Sequence, residues 1–159
     1  MTFREFIKSY NEIFKAFNKI YHDFALDCGL SDSASIILYE LRFAVSGITQ
    51  KDIGSWLSLS KQTVNTSIKR LESQGLVICR DGDVDRRMRY VELTDEGREF
   101  CRIHIDKIIK AEANTFARMT DGQAEELLTA EKRYYELFLQ ESIKIRKEER
   151  ENEQNTVIR

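Results

Sequence analysis

Apolar residues near the N-terminus repeat at alternating steps of three and four, which is the spacing of one face of an α-helix. The repeat consists of Phe3, Phe6, Ile7, Tyr10, Ile13, Phe14, Phe17, Ile20, Tyr21 and Phe24. It predicts one helix from about Thr2 to Cys28, terminated at Gly29. Such a helix would be roughly 40 Å long, whereas a compact domain of this size has a radius of gyration of about 15 Å. The helix would extend beyond its own core, and we expect a second copy of the chain to cover its aromatic face.

The composition of the 159-residue chain fits a single domain, residues 1–159, that is mainly helical. Proline is absent, which agrees with long helices because proline in a helix interior costs roughly 3 kcal/mol. The formal charge of −2 excludes a generally basic, histone-like protein. Residues 50–94 nevertheless carry a net charge of +2 and the remainder −4. This distribution favours a local contact with a polyanion.

Cysteine content and hydropathy predict the cellular compartment of the chain. Cys28, Cys79 and Cys101 are odd in number and widely spaced, and they match neither a disulfide framework nor a zinc-binding pattern. No apolar run approaches the roughly 18 residues of a membrane helix, and the N-terminus lacks a signal-peptide core. We therefore expect a reducing, cytoplasmic environment.

Capping residues divide the middle of the chain into short helices. One helix is predicted over residues 34–45, and another begins after Thr49, with Asp52 at the capping-box position. A three-residue break follows, and Ser60 then caps a helix that Gly75 ends. Two short helices separated by such a break are typical of a helix-turn-helix.

The second half of the chain predicts a hairpin and two longer helices. Strands at 76–80 and 86–93 flank an Asp-Gly-Asp turn and predict a β-hairpin. Thr94 caps a fifth helix, and a capping box at 120–123 begins a final helix whose last ten or so residues we expect to be frayed. The predicted fold is mainly α with a small β-hairpin wing: a winged helix-turn-helix between long terminal helices.

One face of the helix after Ser60 is polar and free of acidic residues. Val64, Ile68 and Leu71 form a narrow apolar stripe on this helix. The residues away from the stripe can all donate hydrogen bonds: Lys61, Gln62, Asn65, Thr66 and Lys69. Such side chains can meet base edges and phosphates in a major groove, whereas an acid there would repel the backbone. We therefore predict that this helix binds double-stranded DNA.

Two stretches of the chain resemble the multiple-antibiotic-resistance regulator (MarR) family. The wing signature of that family, Asp-x-Arg followed by Val-x-Leu-Thr, stands here as DRRMRYVELT, Asp85–Thr94. The stretch ITQKDIGSWLSLSKQTVNTSIKRLESQGLV is similar to the family's DNA-binding core. The resemblance implies a homodimeric, ligand-responsive repressor. Residues 1–30 and 97–150 would be dimerisation helices, and residues 34–96 the DNA-binding region.

The resemblance also assigns roles to individual residues. Arg87 matches the wing arginine that reaches toward the minor groove, and Asp85 the acid that orients the wing; Arg86 and Arg89 would contact phosphate or remain in solvent. The full set expected to contact DNA is Ser60, Lys61, Gln62, Thr63, Asn65, Thr66, Lys69, Arg70, Asp85, Arg86, Arg87 and Arg89. Family members bind small aromatic or amphipathic molecules between the dimerisation helices and the winged helix. The residues expected to contribute, unless they are simply core or dimer interface, are Phe14, Phe17, Tyr21, Ile37 and Leu41.

Other classes of protein fit the sequence less well. A metal-sensing regulator needs several clustered ligands, but His22 and His104 lack suitable partners at i+3 or i+4. A peroxide sensor would need a reactive cysteine early in the first helix, whereas Cys28 lies at its far end. No phosphate loop or nucleophile motif indicates an enzyme, and no cofactor is expected. A winged-helix protein-interaction module and a cysteine-based redox regulator remain as alternatives.

Overall fold

The computed structural model describes residues 1–82, 88–120 and 122–157, with side chains up to residue 153. Its helices are α1 (Phe3–Asp27), α2 (Asp32–Phe43), α3 (Gln50–Trp56), α4 (Lys61–Ser73), α5 (Asp95–Phe100), α6 (Asp106–Phe116) and α7 (Gln123–Val157). Its strands are β1 (Ile48–Thr49), β2 (Val77–Asp81) and β3 (Arg89–Leu93). The predicted winged helix-turn-helix, mainly α with a small antiparallel sheet, is confirmed.

Side-chain caps begin several helices: a capping box at Thr2, which was not predicted, and the predicted caps of α3, α4 and α5. The hydroxyl of Thr2 accepts a hydrogen bond from the Glu5 amide at 3.3 Å, and the Glu5 carboxylate accepts one from the Thr2 amide at 2.8 Å. Thr49, Ser60 and Thr94 cap α3, α4 and α5 through their side-chain oxygens. Each cap satisfies an amide that has no partner inside the helix.

The sheet has three strands, although the sequence predicted two. Strand β3 lies in the centre, with β2 on one side and the two-residue β1 on the other, both antiparallel to β3. The Cα of Val91 lies opposite those of Ile48 and Cys79. Two residues are too few for an alternating pattern, so the sequence gives no periodic signal for β1.

Two further expectations were wrong in detail. The fifth helix is interrupted, because a π-helical turn over Cys101–Ile105 joins α5 to α6 and places both of these residues in the core. The final helix continues to Val157 rather than fraying over its last ten residues. Its charged tail suits a helix, since Glu, Lys and Arg are good helix formers, and Lys147 pairs with Glu151 at 3.9 Å.

The chain forms two compact units, Met1–Ala111 and Glu112–Arg159. The first unit contains the core, to which α2 contributes Ala34, Ile37, Leu38 and Leu41, and α4 contributes Val64, Ile68 and Leu71. Ile53 of α3 and Val91 of β3 have no exposed surface and complete the packing beneath the helix-turn-helix. The second unit consists of the end of α6 and all of α7. In the described part of the chain, no helix combines the length and the apolarity needed to span a membrane.

Candidate nucleic-acid interface

Helix α4 presents the predicted polar face to solvent. Val64, Ile68 and Leu71 are buried, whereas Lys61, Gln62, Asn65, Thr66, Lys69 and Arg70 are exposed. Within the described residues, none of these six exposed side chains has a hydrogen-bond or ion-pair partner. Their donors are therefore available to an external ligand. Val64, Ile68 and Leu71 orient this face by fixing the rotation of α4 about its axis.

The start of α4 is fixed by a tight connection from α3. Ser58 adopts a left-handed conformation with φ of 51°, and the amide of Leu59 donates to the carbonyl of Gly54 at 3.0 Å. The hydroxyl of Ser60 then accepts from the Thr63 amide at 3.1 Å and lies 2.8 Å from the Thr63 hydroxyl. Ser60 and Thr63 thus fix the first turn of α4, and their hydroxyls lie at its solvent-facing start.

A basic groove lies on one side of α4. It has a volume of about 640 Å³, and its lining includes Lys51, Lys61 and Arg89. Sequence reasoning assigned Lys61 and Arg89 to DNA contact but counted Lys51 only as part of the net charge. Lys51 is the second residue of α3, and only the packing of α3 against α4 brings it beside Lys61. Three cations along one groove suit a phosphate backbone.

A hydroxyl-rich hollow of about 390 Å³ lies beside another part of α4. Its lining includes Ser31 and Ser33 from the start of α2, and Gln62, Thr66 and Arg70 from α4. The Ser33 hydroxyl lies 2.8 Å from that of buried Ser67, which joins α2 to α4. Hydroxyl, amide and guanidinium groups all donate to phosphate oxygens. The serines were not predicted, because 34 residues separate Ser33 from Ser67.

The wing is described only in part. Strands β2 and β3 pair from Val77 opposite Leu93 to Asp81 opposite Arg89, and Arg80 lies 3.4 Å from Glu92. Arg89 is exposed at the start of β3. Asp85, Arg86 and Arg87, which the resemblance assigns to DNA contact, lie outside the described residues.

The five residues expected to bind an effector do not come together in one cavity. Tyr21 lines a cavity of about 600 Å³ between α1 and α2. Phe14 and Phe17 are exposed on α1, while Ile37 and Leu41 are packed in the core of the first unit. Side chains that sequence reasoning did not select complete the cavity, among them Tyr39, Glu40 and Leu59.

The cysteine thiols are poorly suited to redox chemistry. Burial raises the pKa of Cys28 and of Cys79, and it raises the pKa of Cys101 to about 11. A hydrogen bond to Glu72 further raises the pKa of Cys79. Because the thiolate is the reactive form, these environments argue against a redox sensor. Among the residues with described positions, no three His, Cys, Asp or Glu side chains are grouped to hold a metal ion.

Comparison with known proteins places this geometry among DNA-binding regulators. A model of the MarR family matches residues 29–88. The HTH-type transcriptional regulator YwoH of Bacillus subtilis is 36% identical over 114 residues, which are 71% of this chain and 78% of that protein. NMB1585, a MarR family regulator from Neisseria meningitidis, is 28% identical with a TM-score of 0.64, over 83% of this chain and 94% of that one. The MepR–DNA complex of Staphylococcus aureus shares the fold at 17% identity and a TM-score of 0.66, over 80% of this chain and 96% of that one.

Proposed function

Because the chain belongs to the MarR family of DNA-binding transcriptional regulators, which are not enzymes, we propose that it acts as a homodimeric, ligand-responsive repressor that reads its operator through α4. The observation that carries the proposal is the outer face of α4. Six exposed donors lie there without partners in the described residues, beside a basic groove and a hydroxyl-rich hollow. The crystal structure of MepR, a protein of the same fold, contains DNA.

The side chains of α4 divide into base readers and phosphate contacts. Gln62 and Asn65 carry amides that can form paired hydrogen bonds with adenine, so they would read sequence. Lys61, Lys69 and Arg70, with the hydroxyls of Ser60, Thr63 and Thr66, would hold the phosphate backbone and set the register. Lys51 joins this group through its position in the basic groove.

The wing would extend the contact beyond the major groove. Arg87 would enter an adjacent minor groove, where narrow A·T-rich sequence strengthens the negative potential. Asp85 would orient the wing, and Arg86 and Arg89 would contact phosphate. Two subunits would then cover two half-sites about one helical turn apart or slightly more. Occupancy of such an operator would block transcription.

The homodimer rests on apolar surface that the first unit leaves uncovered. Phe14 and Phe17 are 59% and 58% exposed on α1, and Phe3, Ile13 and Ile20 lie on the same helix with 48–80% exposure. A contiguous face of this kind marks an interaction site in a soluble protein. A second copy of α1 would bury it, and the long α7 would contribute further dimer contacts. As a DNA-binding transcription regulator, the protein would act in the cytoplasm.

An effector between α1 and the helix-turn-helix would control DNA affinity by changing the spacing of the two α4 helices. It can release the operator only if it binds the DNA-incompetent spacing more tightly. Operator and effector must then weaken each other's binding by the same factor. The cavity lined by Tyr21 is the candidate site in the first unit.

Binding to the DNA that flanks the protein's own gene tests the proposal. Asn65→Ala and Gln62→Ala should each reduce discrimination between operator and random DNA by about 1–3 kcal/mol. Lys69→Ala should instead weaken binding to all DNA and lower the salt slope by about one. Equal losses on operator and random DNA for the Asn65 and Gln62 variants would show that another face reads the bases.

A further inference from the structure

Glu40 is a half-buried residue, and its carboxylate has no hydrogen-bond or ion-pair partner among the described residues. It lies on α2 and lines two cavities, the one of about 600 Å³ that contains Tyr21 and a smaller one of about 390 Å³. Partial burial of a charged group without a partner is unfavourable. A carboxylate in this position would be stabilised by a cation brought into either cavity.

The other charges that line the two cavities are also negative or paired. Asp32 lines the larger cavity and lies 2.8 Å from Nδ1 of His22. Asp52 lines the smaller cavity and accepts a hydrogen bond from the Thr49 hydroxyl at 2.6 Å. Neither lining, as far as the described residues show, contains a lysine or an arginine. An anion would therefore meet carboxylates, and His22, the basic side chain among the described lining residues, is already paired with Asp32.

Aromatic and apolar side chains form the rest of the larger cavity. Tyr21 and Phe24 come from α1, Tyr39 comes from α2, and Leu57 and Leu59 come from the α3–α4 connection. Aromatic faces attract cations, and aromatic cages with a carboxylate suit quaternary ammonium groups. The volume lies in the range of small-molecule sites, about 300–1,000 Å³.

We propose that the effector of this regulator is a lipophilic organic cation, bound in the larger cavity with its charge beside Glu40 and its apolar body against the aromatic side chains of α1 and α2. The inference rests on the proposed ligand response and names the chemical class of the ligand. It excludes anionic aromatics such as salicylate from this cavity. A ligand there touches both α1 and the connection that fixes the start of α4, so it can couple dimer geometry to the DNA-binding face.

Calorimetric titration of the full-length protein tests the inference, with tetraphenylphosphonium as the cation, triphenylphosphine oxide as its neutral analogue, and salicylate as the anion. Tetraphenylphosphonium should bind about tenfold more tightly than the neutral analogue, since an ion pair in a partly buried site and cation–π contacts both favour it. Glu40→Gln keeps the side-chain shape and should remove most of that preference. Glu99→Gln is the matched control, because Glu99 is exposed, pairs with Arg102 at 2.6 Å and lines neither cavity.

The outcomes separate this inference from the proposed function. Equal binding of tetraphenylphosphonium by wild type and Glu40→Gln, or no binding by wild type, overturns the cation site. If salicylate releases operator DNA while tetraphenylphosphonium fails to bind, the ligand response stands and the cation inference is wrong. If tetraphenylphosphonium binds through Glu40 and operator affinity stays unchanged, the cavity binds cations but is not the effector site, and the inference is wrong while DNA binding by the protein stands.

Discussion

Helices α4 and α1 carry apolar stripes with the same spacing of three and four residues, but the two stripes meet different surroundings. On α4, Val64, Ile68 and Leu71 are at most 2% exposed, because α2 and α3 cover them. On α1, Phe14 and Phe17 are more than half exposed. A periodic stripe therefore predicts which face of a helix is apolar, but it does not predict what covers that face.

The stripes of α4 and α1 therefore contribute to different interactions. The apolar stripe of α4 is buried within the first unit, so packing inside that unit holds the exposed polar face of α4 in place. The stripe of α1 remains uncovered in the same unit and supports the proposed dimer. In the second unit α7 likewise exposes Leu128, Tyr135 and Phe138. Substitutions in the two regions should accordingly differ in whether their effects depend on protein concentration.

The largest expected effect is a loss of folding stability when a side chain is added at Gly97, where α5 packs against the backbone of Leu76. A Cβ built on Gly97 would overlap the carbonyl oxygen of Leu76 and lie 2.8 Å from its carbon. The Thr94 hydroxyl donates to Gly75 at 2.6 Å and accepts from the Gly97 amide at 2.8 Å, so backbone on both sides is fixed. We expect Gly97→Ala to lower the free energy of unfolding by about 4 kcal/mol, measured by urea titration.

Gly54→Ala is the control for this substitution. Its Cβ would lie 3.4 Å from the Leu59 oxygen and 3.6 Å from Cγ2 of Val64, which are ordinary contacts. Because glycine is disfavoured in a helix interior, alanine should leave stability unchanged or raise it by up to about 1 kcal/mol. A tolerated Gly97→Ala would mean that α5 packs less tightly against the residues before β2 than the structure indicates.

The next effect compares the two stripes directly. Ile68→Ala opens a cavity in a core where Ile68 is 1% exposed, and it should cost about 3 kcal/mol of unfolding free energy. Phe17→Ala should cost much less folding free energy within one subunit but raise the dimer dissociation constant about tenfold, as expected for an aromatic interface residue. Urea titration measures the first quantity and sedimentation over a range of protein concentrations the second.

Three outcomes would contradict the contrast between a covered stripe on α4 and a dimer-forming stripe on α1. A dissociation constant that Phe17→Ala leaves unchanged would remove α1 from the proposed dimer interface. A well-folded monomer of the intact protein in sedimentation would contradict the dimer itself. Dependence of the Ile68→Ala unfolding midpoint on protein concentration beyond that of wild type would show that the core of the first unit is not independent of the partner.

Local signals account for what could be predicted from sequence. Ser60 at the start of α4, Gly75 after its end and the stripe between them lie within 16 residues, and they give the helix and its outer face directly. Long-range packing accounts for what could not. Lys51 joins the basic groove only because α3 packs on α4, and the Ser33–Ser67 hydrogen bond joins residues 34 positions apart. No feature of the sequence marks Glu40, because its partial burial depends on how α2 packs against its neighbours in the folded chain.

The last prediction uses the thiols of Cys101 and Cys28 to report on the two regions. Cys101 is buried in the core beneath α2, where burial raises its pKa to about 11, whereas half-buried Cys28 lies at the end of α1. In an unfolded chain the Cys101 thiol would lose its proton near its ordinary pKa of about 8.5, while in the folded chain it retains that proton to about pH 11. The folded state thus binds more protons over this interval, so the contribution of Cys101 to stability is fully present below pH 8.5 and is lost as pH rises to 11. In a Cys28→Ser, Cys79→Ser variant we expect the urea midpoint to fall over this range by more than it does when Cys101 is also replaced by alanine.

At pH 8, dithiobis-nitrobenzoate should label Cys28 in the folded wild-type protein and Cys101 only at the rate of global unfolding. Rapid labelling of Cys101 without urea would show that the core beneath α2 opens locally, and the contrast between a closed core and an open α1 would then be lost.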